Sequence, residues 1–150
     1  MRRYLMLLVL VCFCAPALAE HSPLEQENRR KVLAFYQLAL NDKDFAAARP
    51  YLGDHYIQHN PGVKDGIEGF REFIEFLREH YPTSRSEVRQ VFVDGDHVIV
   101  QVKNTGREPG VVRSIIDIYR LEQGRIVEHW DATQVLPDKT LNSNGVFPGD

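Results

Sequence analysis

The spacing of apolar positions changes period at Arg85, and that change divides the chain into a helical part and a stranded part. Val32, Tyr36, Ala39 and Leu40 recur at helical spacing. Ahead of them, Ser22-Pro23-Leu24-Glu25 has the layout of a helix start: a hydroxyl that can cap, a proline suited to the first turn, and a glutamate that can complete a capping box. This first helix is expected to end near Asn41, and a shorter one containing Phe45, Ala48 and Leu52 to follow before Gly53. A third, from about Gly66, carries Ile67, Phe70, Ile74, Leu77 and Tyr81 on one stripe and is ended by Pro82. Between the second and third helices, "DHYIQHNPG" reads as a short extended segment running into Asn-Pro-Gly turn chemistry.

From Arg85 the alternation has period two. Val88, Gln90 and Phe92 lead to a turn at Asp94-Gly95-Asp96, after which Val98, Val100 and Val102 resume the pattern. A glycine-bearing connection, Asn104 to Gly110, leads to "VVRSIIDIYRL", and Glu122-Gln123-Gly124 turns that run into "RIVEHWDATQVL". Helices followed by at least four long antiparallel strands make an α+β fold with helices against one face of the sheet. The tail from Pro137 is rich in Asn, Pro and Gly and is expected to pack only through Leu141, Val146 and Phe147.

The last hairpin carries the candidate chemistry. A three-residue loop at Glu122-Gln123-Gly124 sets Leu121 opposite Arg125, Tyr119 opposite Val127, Asp117 opposite His129 and Ile115 opposite Asp131. Arg113, Asp117, His129 and Asp131 then share one face, and Ile116, Ile118 and Trp130 the other, where Trp130 reads as a core or dimer-interface anchor. A two-residue turn would shift the register by one and reverse those faces. The polar face is either wet, with routine surface pairing, or covered by the three amphipathic helices. The helices favour the second reading, because their apolar stripes need the one face an α+β sheet offers, and the charged groups then line a cavity. The pair Asp117 and Asp131 also has the residue types of a glycosidase site, but an extended sugar fits poorly among apolar helix residues.

The remaining residues narrow the classes. The first nineteen, "MRRYLMLLVLVCFCAPALA", have two arginines, an apolar run from Leu5 to Phe13 and the small-residue pattern Ala17-Leu18-Ala19, the layout of a secretory signal peptide. Cleavage after Ala19 is expected, giving an exported protein, periplasmic or secreted, with no membrane association after cleavage. Both cysteines, Cys12 and Cys14, fall in that segment, so the mature chain has no disulfide, thiol nucleophile or cysteine metal site. Removing two arginines changes the net charge from −3 to −5. That balance, without a basic run, argues against nucleic acid as a partner. The spacing of His55 and His59 would suit a metal on a helix, but on an extended strand the two rings lie about 13 Å apart. A mixed metal site from His59, His129 and the aspartates has no motif behind it, and no metal is expected.

"HNP", the run "IIDIYRLEQGRIVEHWDATQ" and the tail "LNSNGVF" resemble the SnoaL-like polyketide cyclase group of the nuclear transport factor 2-like superfamily, over nearly all of residues 20–150. The resemblance implies a cone-shaped α+β barrel: N-terminal helices packed on a strongly curved antiparallel sheet around a central pocket. It also implies a homodimer formed through the sheet's outer face. In the cyclases, the aspartate of a His-x-Asp pattern acts as acid/base for an intramolecular aldol closure, and that pattern falls on His129 and Asp131. These two are the candidate catalytic residues. His59, Asn60, Arg113 and Asp117 are candidate ligand-binding residues from the pocket argument, with His129, His59 and Asn60 as candidate donors to an enolate. The chemistry is proton removal next to a carbonyl of a small apolar ligand, by cyclisation or isomerisation, with no cofactor. Two alternatives share the pocket: a non-catalytic small-ligand-binding or accessory domain, and epoxide hydrolysis by an Asp/Arg/Asp set of Asp117, Arg113 and Asp131.

Overall fold

The computed structural model describes residues 21–149, and the expected signal segment falls outside them. Helix α1 spans Pro23–Tyr36 and continues as a π-helical turn, Gln37–Asn41. Its start is the capping box read from the sequence, with the Ser22 hydroxyl accepting from Glu25 N–H and the Glu25 carboxylate accepting from Ser22 N–H. Helix α2, Phe45–Ala48, passes through a 3-10 turn, Arg49–Tyr51, into strand β1, Leu52–Gln58. Leu52 therefore opens a strand and does not end the second helix. Helix α3 spans Gly66–His80, and strands β2 (Arg85–Asp94), β3 (His97–Thr105), β4 (Arg113–Glu122) and β5 (Arg125–Val135) follow.

The five strands form one sheet in the order β1-β5-β4-β3-β2, antiparallel except that β1 runs parallel to β5. The extended segment read from the sequence is thus a fifth strand, placed at the edge beside β5. Val32, Phe35 and Ala39 of the first helical stretch and Phe70, Ile74 and Leu77 of α3 are buried against Val98, Val100, Val102, Ile115, Tyr119, Leu121 and Ile126 of the sheet. Phe35 links the two layers, stacking on Phe70 and meeting Tyr119 edge-on. Asn41 fastens the end of the first helical stretch to β2, accepting from Ser86 N–H at 2.8 Å and donating to Ser86 O at 3.0 Å. Lys43, in a left-handed conformation at φ 55°, places its ammonium against the carbonyls of Asn41 and Ser84, and burial lowers its pKa. Among the described residues of the tail only Phe147 is buried, between the cations of Arg89 and Lys103; Val146 is partly covered, and Leu141 is fully exposed, which corrects its expected packing.

The hairpin register also differs from expectation, in a way that preserves the faces of the polar residues. The β4–β5 turn has two residues, Gln123 and Gly124, both at positive φ, so Glu122 pairs with Arg125 and Leu121 with Ile126. Alone, that would turn the polar residues outward. Next, however, Arg120 pairs with Glu128, leaving Val127 as a β-bulge. Turn and bulge together shift the pairing by two relative to the expected register. Tyr119 opposes His129, Asp117 opposes Asp131 and Ile115 opposes Thr133, so the side chains beyond the bulge keep their expected face, whereas before it Ile126 turns inward beside Leu121 and Arg125 outward. The bulge has room because β1 carries glycine opposite it: a Cβ on Gly53 would lie 2.7 Å from Val127 Cγ1.

Candidate active site

The inner face of β4 and β5, under α1 and α3, encloses a cavity of about 220 Å³. Asp117, Tyr119, His129 and Asp131 line its sheet side, Tyr36, Leu40, Phe70 and Phe73 its helical side, and Tyr56, Gln58 and Asn60 the β1 edge. The helices therefore cover the polar face. A wider groove, about 630 Å³, at the edge between Arg49, His55 and Arg125 is open to solvent and lacks these acid/base groups.

Asp117 is buried and fully engaged. Tyr36 Oη donates to Oδ2 at 3.0 Å, and His129 Nε2 lies 3.0 Å from Oδ1. His129 Nδ1 lies 2.9 Å from Gln58 Oε1, which also accepts the Asn60 backbone N–H at 2.9 Å. That second donor marks Oε1 as the oxygen of the amide, so His129 Nδ1 donates to it. With Nδ1 turned to the Gln58 oxygen, Nε2 faces the Asp117 carboxylate. Tyr119 stacks on the imidazole at 4.8 Å and fixes its plane.

Asp131 is held differently. Asn60 Nδ2 donates to its Oδ2 at 2.8 Å, and Oδ1 accepts no hydrogen bond among the described residues. Partial burial pushes its carboxyl above the ordinary aspartate value; His129, Asn60 and Arg107 pull it back, while the Asp117 carboxylate across the strand pair adds to the rise. Of the two opposed carboxylates, Asp117 is thus occupied as a positioning group, and Asp131 has an oxygen available for a proton. Burial also pushes the phenols of Tyr36, Tyr56 and Tyr119 well above the usual tyrosine range, so each keeps its proton. Tyr56 Oη accepts from Gln58 Nε2 at 3.4 Å, and its own O–H proton is uncommitted.

Four of the six residues singled out in the sequence, Asn60, Asp117, His129 and Asp131, come together in the cavity. His59 and Arg113 do not. The His59 ring lies on the outer face, stacked on Trp130 at 4.7 Å and bonded to Glu128 Oε1 at 2.9 Å. Its backbone N–H donates to His129 O at 3.0 Å, so the β1 ladder continues past Gln58 and alternation sends residue 59 outward and residues 58 and 60 inward. His59 is therefore removed as a donor to a cavity ligand. Arg113 pairs with Glu108 at 2.5 Å outside the cavity lining, so the expected set Asp117, Arg113 and Asp131 is not assembled. The cation that does line the cavity is Arg107, from the β3–β4 connection. Sequence reasoning missed Tyr36, Tyr56, Gln58, Tyr119 and Arg107. Tyr119 was readable, being two residues from Asp117 on the same strand face; Arg107 lies in a loop without periodicity. Among the described residues, no group of three or more His, Cys, Asp or Glu side chains is placed to hold a metal ion.

Residues 32–129 match the SnoaL-like domain family. Among solved structures, a candidate SnoaL-like polyketide cyclase from Jannaschia sp. CCS1 is 25% identical with a TM-score of 0.67, the similarity covering 77% of this chain and 90% of that one. TsrD from Streptomyces laurentii is 24% identical, TM-score 0.64, over 73% and 90% of the two chains. An epoxide hydrolase from M. tuberculosis, of the LEH-like kind, is 20% identical, TM-score 0.63, over 75% and 86%. No curated protein matches the chain.

Proposed function

Because the chain belongs to the SnoaL-like domain family and has its nuclear transport factor 2-like fold, we propose that it is a cofactor-independent acid/base catalyst acting on a small carbonyl compound bound in the cavity. The observation that carries this reading is the state of Asp131: partly desolvated, held at one oxygen by Asn60, and free at the other. In the proposed step Asp131 Oδ1 removes a proton from the carbon next to a carbonyl. The electron pair moves onto the carbonyl oxygen, where the Tyr56 O–H donates to the enolate. Asp131 then returns the proton at another carbon, an isomerisation, or the enolate closes on a second carbonyl of the same molecule in an aldol step and Asp131 gives its proton to the alkoxide that forms. His129 stays fixed between Asp117 and Gln58 and stabilises the ionised form of Asp131.

Cavity size limits the substrate. A volume of about 220 Å³ lies below the roughly 300–1,000 Å³ of pockets that take drug-sized ligands. It suits one ring or a short chain, not a multi-ring polyketide. The segment at residues 1–19 supports export to the periplasm or medium, and the exposed outer-face side chains Ile116 and Phe92 support a homodimer through that face.

A non-catalytic ligand-binding role is the second reading, favoured by the internally satisfied Tyr36–Asp117–His129–Gln58 network. Deuterium exchange into phenylacetone, a small ketone with acidic α-protons, separates the two. Under the catalytic reading the wild type accelerates exchange and Asp131→Asn abolishes the acceleration with the fold intact. Unchanged exchange in Asp131→Asn would remove Asp131 as the base.

A further inference from the structure

Arg107 has no place in the step just described, yet its environment is unusual for an arginine. It leaves the β3–β4 connection directly after Gly106, which sits at φ 79° pressed against Thr83 and Ser84, where a Cβ would lie 2.9 Å from Thr83 O. The chain is thereby held close to the end of α3, and Arg107 lines the cavity alongside Tyr36, Asp117 and Asp131. Its Nε is inaccessible and has no hydrogen-bond partner, and no carboxylate lies at ion-pair distance from it among the described residues. The nearby Arg113 takes the carboxylate of Glu108 and still has a buried Nη1 without a partner. Asp117 is committed to His129 and Tyr36; Asp131, bonded to Asn60 at one oxygen, feels Arg107 through space but forms no ion pair with it. This end of the cavity therefore holds a partly desolvated guanidinium with no direct counter-ion, an arrangement that is costly unless a bound anion completes it. Guanidinium geometry matches a carboxylate, which it can bind through two parallel hydrogen bonds.

We propose that Arg107 seats the carboxylate of the ligand, making the substrate class small keto acids rather than neutral ketones. This rests on the acid/base reading for the fate of the substrate, though the anion seat itself does not require turnover. With the carboxylate on Arg107, the neighbouring carbonyl and its α-carbon extend into the space bounded by Tyr56, Asp131 and Phe70. Asp131 takes the α-proton, the enolate oxygen accepts a hydrogen bond from a phenol, and Asp131 delivers the proton to that oxygen, completing a keto–enol tautomerisation that needs no co-reactant.

The test uses phenylpyruvate and phenylacetone, which share the benzyl ketone and differ in carboxylate against methyl. Calorimetric titration of the wild type is expected to show phenylpyruvate binding about ten-fold or more tightly than phenylacetone, the range for hydrogen bonds to a charged group. Arg107→Gln, checked for folding by circular dichroism, is expected to level the two by weakening the acid alone, and Arg107→Lys to keep part of the preference. Equal affinities in the wild type, a preference that survives in Arg107→Gln, or no saturable binding of phenylpyruvate would each overturn the proposal. Asp131→Asn separates the readings: it should retain the preference for the acid while losing deuterium exchange. If it exchanges normally with the preference intact, the acid/base reading fails and the anion seat stands.

Discussion

Replacing Tyr36 with Phe removes one oxygen and leaves the ring, so it isolates the hydrogen bond that Tyr36 Oη donates to Asp117 Oδ2 at 3.0 Å. Both residues are buried, at 3% and 5% exposure, so bulk solvent does not reach the bond, which water can approach only through the cavity the two side chains line. The ring's edge contact with Tyr119, at 6.4 Å, should survive, so packing changes little. If Asp117 is the ionised partner of His129, the bond is charge-assisted and its loss costs about 1.5–3 kcal/mol. For a domain of this size, that lowers the melting temperature by roughly 4 °C per kcal/mol, or about 6–12 °C. Urea denaturation followed by circular dichroism is the assay: the midpoint should fall with the slope unchanged. A loss below about 0.5 kcal/mol would contradict a charge-assisted bond, since an ionised buried carboxylate left without a donor costs more than that. It would mean that a cavity water stands in for the phenol and that Asp117 does not depend on Tyr36.

Gly53→Ala should cost about 1–3 kcal/mol by driving a methyl into the bulged Val127. The loss should be partly recovered in the double variant with Val127→Ala, and additive losses in urea melts would count against the contact. Asp131→Asn should make the protein more stable at neutral pH. A carboxyl raised above its unfolded value binds protons more readily in the native state, so ionising it costs stability as pH rises, and the variant's advantage should vanish as pH falls towards the ordinary value of 3.8; an advantage that grows on acidification contradicts the sign. His59→Ala should leave the pH dependence of exchange unchanged, whereas Asn60→Ala should move its midpoint upward by removing the hydrogen bond that favours ionised Asp131. The reverse ranking in pH–rate profiles would put His59 back in the cavity.

The parts of the fold legible in the sequence were those set by local chemistry. The capping box at Ser22 and Glu25, the stripe through Phe70, Ile74 and Leu77, and the alternation of Val98, Val100 and Val102 all became elements with the expected buried face. The faces of Asp117, His129 and Asp131 were legible only in part. A three-residue loop and a two-residue turn with a bulge place these side chains on the same side, so parity was right while each partner was wrong. The bulge depends on Gly53 in a distant strand, and no local pattern announces it. The parallel pairing of β1 with β5 was hidden for the same reason. His59 and Asn60 were grouped because they adjoin in sequence, but extending the strand alternation two residues past Gln58 separates them, one outward and one inward. Arg107 was invisible because a loop residue's direction is set by its surroundings, here Gly106 against Thr83.

If Asp131 is a partly desolvated carboxylate poised to take a proton, NMR titration of its carboxyl carbon in the ligand-free protein should show it. The expected midpoint lies above 3.8, and it should rise further when Asn60 is replaced by Ala. A midpoint at or below 3.8 would contradict the claim, leaving Asp131 a solvated or ion-paired acid with no reason to act as the base.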